Sequence, residues 1–85
     1  MGKFDKLMLK LLSGSADNNF SFDDLRLILL NLGFTEKVTA GSHRIFYKEN
    51  ILELVNIQPD GNKAKPYQVK QVRGIVLKYK LVSYE

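Results

Sequence analysis

The chain contains no cysteine and only one histidine, His43. Disulfide bonds, thiolate nucleophiles and cysteine-based zinc sites are therefore excluded, and a single histidine is too few for a histidine-rich metal site. We expect neither a metal nor another cofactor. Long apolar runs are also missing, because Lys3, Asp5, Lys6 and Lys10 interrupt residues 1–12 and no other run could cross a bilayer. We expect a soluble cytoplasmic protein that does not bind membranes.

Acidic residues are scarce in the second half of the chain. Residues 1–36 carry 4 basic and 5 acidic groups, whereas residues 37–85 carry 9 and 4. Residues 63–80 contain no Asp or Glu but hold Lys63, Lys65, Lys70, Arg73, Lys78 and Lys80. Arg44 and Lys48 follow the histidine closely. This asymmetry favours an anionic ligand, and a polyanion would bind through counterion release.

Two helices are predicted before any strand. Apolar residues at three- and four-residue spacing indicate the first, and Gly14 lies where it would end. These residues are Phe4, Leu7, Met8 and Leu11. The second helix should begin at Phe22, because Ser21 to Asp24 resembles a capping box, and Gly33 is placed to close it. Its buried face should consist of Leu25, Ile28, Leu29 and Leu32.

Three strand-like runs follow, over residues 34–40, 43–48 and 51–57. The short connections Gly41-Ser42 and Glu49-Asn50 predict antiparallel hairpins. Residues 58–65 are rich in turn formers.

A last helix should begin at Pro66 and run to about Leu81. Its inward face should carry Val69, Val72, Ile75, Val76, Tyr79 and Val82. Its opposite face should carry Lys70, Arg73, Lys78 and Lys80. The order helix, helix, three strands, helix predicts an α+β domain over residues 1–85.

The turn Gly41-Ser42-His43 at the middle strand, together with the sequence from Lys65 to Arg73, resembles the HicA toxins of bacterial toxin–antitoxin pairs. The order of elements from the second helix onward resembles the double-stranded-RNA-binding fold. The resemblance covers roughly residues 22–81. It implies a core over residues 21–82 and a helical extension over residues 1–20, whose role the sequence leaves open. Ala40 departs from the family, which often has Lys or Arg there, so one phosphate contact is absent or supplied from elsewhere.

The resemblance implies a small ribonuclease that cleaves messenger RNA and is silenced when an antitoxin of the HicB type covers its active face. His43 matches the catalytic histidine of the family, and Gly41 and Ser42 match the turn that presents it. The RNA-binding residues we expect are Arg44, Lys48, Lys65, Lys70 and Arg73.

Without a metal, RNA is cut when its 2′-hydroxyl attacks the adjacent phosphorus, with one group removing that proton and another protonating the leaving oxygen. His43 can fill either role. The other role would fall to Lys48, Tyr47, a substrate group or water. Because deoxyribose lacks the 2′-hydroxyl, we expect no DNA cleavage and no direct DNA binding.

Plainer interpretations stand beside this one. On the residues alone, His43 is more often a half-exposed strand residue, and the protein would then be a non-catalytic RNA-binding module of the same fold. A third interpretation is an interaction protein whose basic face binds an acidic partner chain. Leu77 and Leu81, which lie beside the cations, would suit such a protein contact. Tyr47, Phe46 and Tyr67 are candidates for stacking on unpaired bases, although packing is favoured for Phe46.

Overall fold

The fold is described from a computed structural model, which describes residues 2–39, 41 and 43–81. The helices are α1 (Lys3–Ser13), α2 (Phe22–Asn31) and α3 (Pro66–Tyr79), with a 3₁₀ turn at Asp17–Asn19. The strands are β1 (Thr35–Val38), β2 (Arg44–Tyr47), β3 (Val55–Ile57), β4 (Pro59–Asp60) and β5 (Lys63–Ala64). The α+β class is confirmed, and the arrangement is compatible with a double-stranded-RNA-binding-like fold. Within the described ranges, no helix is long and apolar enough to span a membrane.

The ends of α1 and α2 follow the local signals in the sequence. Gly14 adopts a left-handed φ of 72° and ends α1. The Ser21 hydroxyl accepts a 3.4 Å bond from the Asp24 N–H at the start of α2. Gly33 has a φ of 96°, and the Phe34 N–H reaches back 3.1 Å to the Leu29 carbonyl. This pattern is a Schellman motif, and it confirms the predicted boundary.

Helix α1 contributes to the same core as the rest of the chain. Leu7, Met8 and Leu11 are buried, and α1 contacts both α2 and α3. The sequence left the placement of this segment open. The structure places α1 against the other helices.

The main sheet has the order β1-β2-β3, and both pairs are antiparallel. Side chains alternate between its faces. Phe46, Val55 and Ile57 point toward the helices and are fully buried, which confirms the packing role expected of Phe46. Ile45, Tyr47 and Asn56 point the other way.

The prediction for the third strand was wrong over residues 51–54. The Leu54 carbonyl accepts a 3.3 Å bond from the Gln71 side chain. The Glu53 carboxylate accepts bonds from Lys78 at 2.9 Å and Tyr79 at 2.5 Å. These contacts hold the segment along α3 instead of beside β2, so the connection after β2 is longer than the predicted two-residue turn.

The other two strands are also shorter than predicted. Phe34 lies in the capping segment after α2, β1 covers only Thr35–Val38, and β2 covers only Arg44–Tyr47. Ala40 lies outside the described residues.

Residues 58–65, predicted only as turns, contain the hairpin of β4 and β5 around Gly61, whose φ is 65°. The Ala64 N–H donates a 2.8 Å bond to the Phe20 carbonyl, and the Phe22 N–H donates a 3.1 Å bond to the Asn62 carbonyl. The hairpin therefore docks on the chain that enters α2.

Helix α3 begins at Pro66 as predicted and ends at Tyr79, two residues earlier than expected. Its buried residues are Gln68, Val69, Val72, Ile75 and Val76. Tyr79 is half-buried and Leu77 is 62% exposed. Leu81 packs partly against the core, and Val82 lies outside the described residues.

Arg73 joins α3 to the chain that follows α1. Its guanidinium forms a two-pronged pair with the Asp17 carboxylate at 2.8 and 3.0 Å and donates a 3.3 Å bond to the Leu11 carbonyl. The two side chains are only 21% and 12% exposed. This pair therefore ties together three elements of the fold.

We predict that Arg73→Ala lowers the free energy of unfolding by about 1–3 kcal/mol, because it leaves a mostly buried carboxylate without its partner. Urea denaturation measures the change. Lys6→Ala, on the exposed surface of α1, is the control and should change stability little. Equal stability of the Arg73→Ala and wild-type proteins would contradict this role.

Acid should weaken the same contact. The hydrogen bond from Arg73 holds the pKa of Asp17 below its usual range. The stabilisation is therefore complete above the unfolded-state pKa of about 3.9 and is lost as the pH falls through the lower folded-state pKa. We predict that Asp17→Asn lowers stability at neutral pH and makes the loss of stability below about pH 4 shallower. Urea denaturation at several pH values in the acid range measures this. The prediction is contradicted if the free energy of unfolding falls as steeply with pH in Asp17→Asn as in the wild type.

Candidate functional site

His43 lies directly before β2 and is exposed. Its backbone carbonyl accepts bonds from the Thr39 N–H at 3.0 Å and the Thr39 hydroxyl at 3.2 Å. Gly41, between them, has a left-handed φ of 66°, which suits glycine. The backbone at His43 is thus anchored, while its imidazole makes no hydrogen bond to the residues that the structure describes. Ser42 lies outside them, so its predicted part in the turn stays a prediction.

The start of α3 lies at the same end of the sheet as His43. Arg44, the next residue, pairs with Ile57 of β3, and Gln58 follows. The Gln58 N–H donates a 3.4 Å bond to the side-chain oxygen of Gln68, which also accepts a 3.4 Å bond from the Lys65 N–H. Gln68 is only 1% exposed. Its buried amide therefore holds Lys65 next to the strand end beside His43.

The electrostatics of this end favour an anion. Lys65 precedes α3, and the first turn of that helix contains no acidic residue. Pro66 has no N–H, and the Gln68 and Val69 N–H groups donate to the Lys65 carbonyl at 2.9 and 3.2 Å, so it is the dipole of α3 that makes this end positive. Together with the Lys65 charge, this makes the surroundings of His43 suitable for a phosphate group.

Arg44 turns its side chain away from His43, toward the helices. Its Nη1 lies 3.2 Å from the Glu36 carboxylate, which Arg26 also holds at 2.6 and 2.8 Å. The hydrogen bond from Arg26 is the main reason that the pKa of Glu36 is lowered. Two arginines thus share one carboxylate. The cluster of Arg26, Arg44 and Glu36 therefore carries a net charge of one positive unit, and Arg44 follows His43 directly in the chain.

Lys48 lies at the other end of β2. Its Nζ is 3.0 Å from the point that a Cβ on Gly33 would occupy, so it lies over the end of α2. A strand rises about 3.3 Å per residue, which puts Lys48 about 13 Å from Arg44. Tyr47 is almost as distant. Both residues therefore start far from His43 along the strand, which favours a substrate group or water for the second proton-transfer role.

The remaining predicted cations lie along α3. Lys70 is exposed, five residues after Lys65. Arg73 faces Asp17 and the end of α1. Strand pairing and the Gln68 bonds thus put His43 and the backbone of Lys65 at the same end of the sheet, whereas Lys48 lies at the other end of β2 and Arg73 faces Asp17. RNA contacts at all these positions stay predictions.

Gln68 is the site residue that the sequence reasoning missed. It stands at an inward position of α3, next to Val69 and one turn before Val72. A polar side chain at such a position must find partners inside the protein. That signal was present in the helical pattern.

One comparison with known proteins gives a match. A family model described as HicA toxin of bacterial toxin–antitoxin matches residues 22–79. The matched region runs from the start of α2 to the end of α3 and leaves α1 outside. No curated protein and no solved structure is significantly similar to the chain.

We predict that Gln68→Met, which keeps the side-chain length but removes the acceptor, speeds amide hydrogen exchange at Gln58 and Lys65. Both N–H groups lose their partner, while the β1–β2 pairing of Ile45 with Lys37 is untouched. Exchange measured residue by residue by NMR tests this. The Ile45 amide is the internal control, and unchanged protection at Gln58 and Lys65 would contradict the assignment.

Proposed function

We propose, from the premise that the chain belongs to the HicA family of bacterial toxin–antitoxin toxins, that it is a metal-independent endoribonuclease that cleaves messenger RNA through His43. One observation supports the proposal most. The exposed His43 lies at the same end of the sheet as Lys65 and the positive start of α3. The substrate puts the activity in the cytoplasm.

In the proposed reaction, the 2′-oxygen of one ribose attacks the neighbouring phosphorus as its proton leaves. The bond from phosphorus to the 5′-oxygen breaks, and that oxygen takes up a proton. The products are a 2′,3′-cyclic phosphate and a 5′-hydroxyl. His43 either accepts the first proton or donates the second, since imidazole is effective in both directions near neutral pH.

The transition state carries extra negative charge on the phosphoryl oxygens. Fixed positive groups stabilise such charge without reorganising. Lys65 suits this task because Gln68 anchors its backbone, and the dipole of α3 adds to the positive potential. Arg44 contributes the surplus charge of its cluster with Arg26 and Glu36 from the other face of the sheet.

A toxin of this family is paired with an antitoxin. We propose a partner of the HicB type that covers the face bearing His43 and so blocks access of RNA. The net charge of +4 favours an acidic partner.

One observation favours a second function, RNA binding without cleavage. The His43 imidazole has no hydrogen-bond partner among the described residues to orient it, and an effective proton-transfer group is normally positioned. In this alternative, His43 is one RNA contact among several.

We predict that the isolated protein cuts single-stranded RNA in EDTA and leaves a DNA strand of the same sequence intact, and that His43→Ala abolishes cutting. General acid or base catalysis typically contributes about 10²- to 10⁴-fold to the rate. Gel analysis of labelled strands measures this, with Leu9→Ala at an exposed position of α1 as a control that should keep wild-type activity.

A second control separates catalysis from binding. The His43→Ala protein should still bind the RNA, because Lys65 and the start of α3 are unchanged. Binding without cutting by the wild-type protein as well would support the non-catalytic alternative and contradict the proposed activity.

A further inference from the structure

The side of the main sheet turned away from the helices is largely exposed among the described residues, with Ile45 half-buried at its centre. It carries Thr35, Lys37, His43, Ile45, Tyr47 and Asn56, which we call the open face. The bond from the Thr39 N–H to the His43 carbonyl extends the β1–β2 pairing by one step, so the alternation along β2 places His43 on the same side as Ile45 and Tyr47. The proposed catalytic residue and this face are therefore continuous.

The strand pairing arranges these side chains in rows across the sheet. Ile45 lies between Lys37 of β1 and Asn56 of β3. Tyr47 lies opposite Thr35 of β1 and is 44% exposed. A tyrosine ring thus stands at one end of the face, with a cation, an amide and a hydroxyl close by and with His43 at the other end.

The open face contains no acidic residue among those just named. The acidic side chain of β1, Glu36, points to the opposite side and is held by Arg26 and Arg44. An ammonium group and an amide beside an accessible aromatic ring suit single-stranded RNA. Bases stack on aromatic rings, amides bond to base edges, and cations contact the backbone.

We infer that the open face binds the single-stranded RNA next to the cleavage site, and that Tyr47 stacks on an unpaired base there. Tyr47 is four residues from His43 along an extended chain, or about 13 Å. RNA-binding sheets stack two or three bases, and we place the stacked base about two nucleotides from the phosphate at His43. This inference rests on the proposed function and adds a substrate-binding position to it.

The test measures binding of a short, unstructured, fluorescently labelled RNA to the His43→Ala protein, which should not cut it and serves as the parent. Adding Tyr47→Leu to this protein keeps an apolar side chain but removes the ring. Since stacking on one base is worth about 1–3 kcal/mol, the Kd should rise roughly 5- to 150-fold. Tyr47→Phe keeps the ring and should bind nearly as well as the parent. Leu9→Ala, at an exposed position of α1, should have no effect.

A matched change in the RNA identifies the stacked base. RNAs with a single abasic position are compared in their binding to the parent and to its Tyr47→Leu variant. At the stacked position, base removal should weaken binding to the parent and abolish the difference between the two proteins, as expected for two changes that remove one contact.

Two results would overturn the inference. In the first, Tyr47→Leu binds RNA as tightly as the parent. In the second, Tyr47→Leu weakens binding of an antitoxin protein but not of RNA, which would make the open face a protein-binding surface.

Failure of the inference and failure of the proposed function give different results. Suppose that the wild-type protein cuts RNA and that Tyr47→Leu, made in the protein that keeps His43, has the same KM for RNA as the wild type. Only the inference about Tyr47 is then wrong. If Tyr47→Leu weakens RNA binding but the wild-type protein does not cut RNA, only the catalytic proposal is wrong.

Discussion

The side-chain oxygen of Gln68 accepts hydrogen bonds from two backbone N–H groups on different parts of the fold, one after β3 and one before α3. A buried amide must satisfy its polar atoms inside the protein, so these bonds fix where α3 begins relative to the sheet. The positive end of that helix, with Lys65 beside it, is consequently held at the strand end next to His43. The candidate active site depends on this arrangement, because neither His43 nor Lys65 belongs to a regular element.

The distribution of charge follows from the ion pairs. Asp17 holds Arg73, Glu36 holds Arg26 and Arg44, and Glu53 holds Lys78. All three carboxylates lie away from the open face, and they neutralise part of the positive charge that the sequence concentrates in its second half. The cations best placed for RNA near His43 are therefore fewer than the sequence suggests, and Lys65 is foremost among them.

Local signals predicted the helices well, because caps act between residues that are close in sequence. Ser21, Gly33 and Pro66 marked their boundaries correctly. The third strand was mispredicted because its first residues are held by α3, and no local pattern reveals contacts with Gln71 and Lys78. His43 was identifiable from the sequence as the only histidine. The partner of Arg73 lies 56 residues away, so its ion pair could not be predicted, and the inward place of Gln68 was visible but was not recognised as important.

The central claim is that RNA lies across the open face and reaches the start of α3. The most direct measurement is a titration of the ¹⁵N-labelled His43→Ala protein with unlabelled single-stranded RNA, followed by NMR. We expect the amide shifts to change along Arg44–Tyr47 and at Lys65, while those of Lys3–Ser13 in α1 stay constant. Changes concentrated in α1, with β2 unaffected, would contradict it.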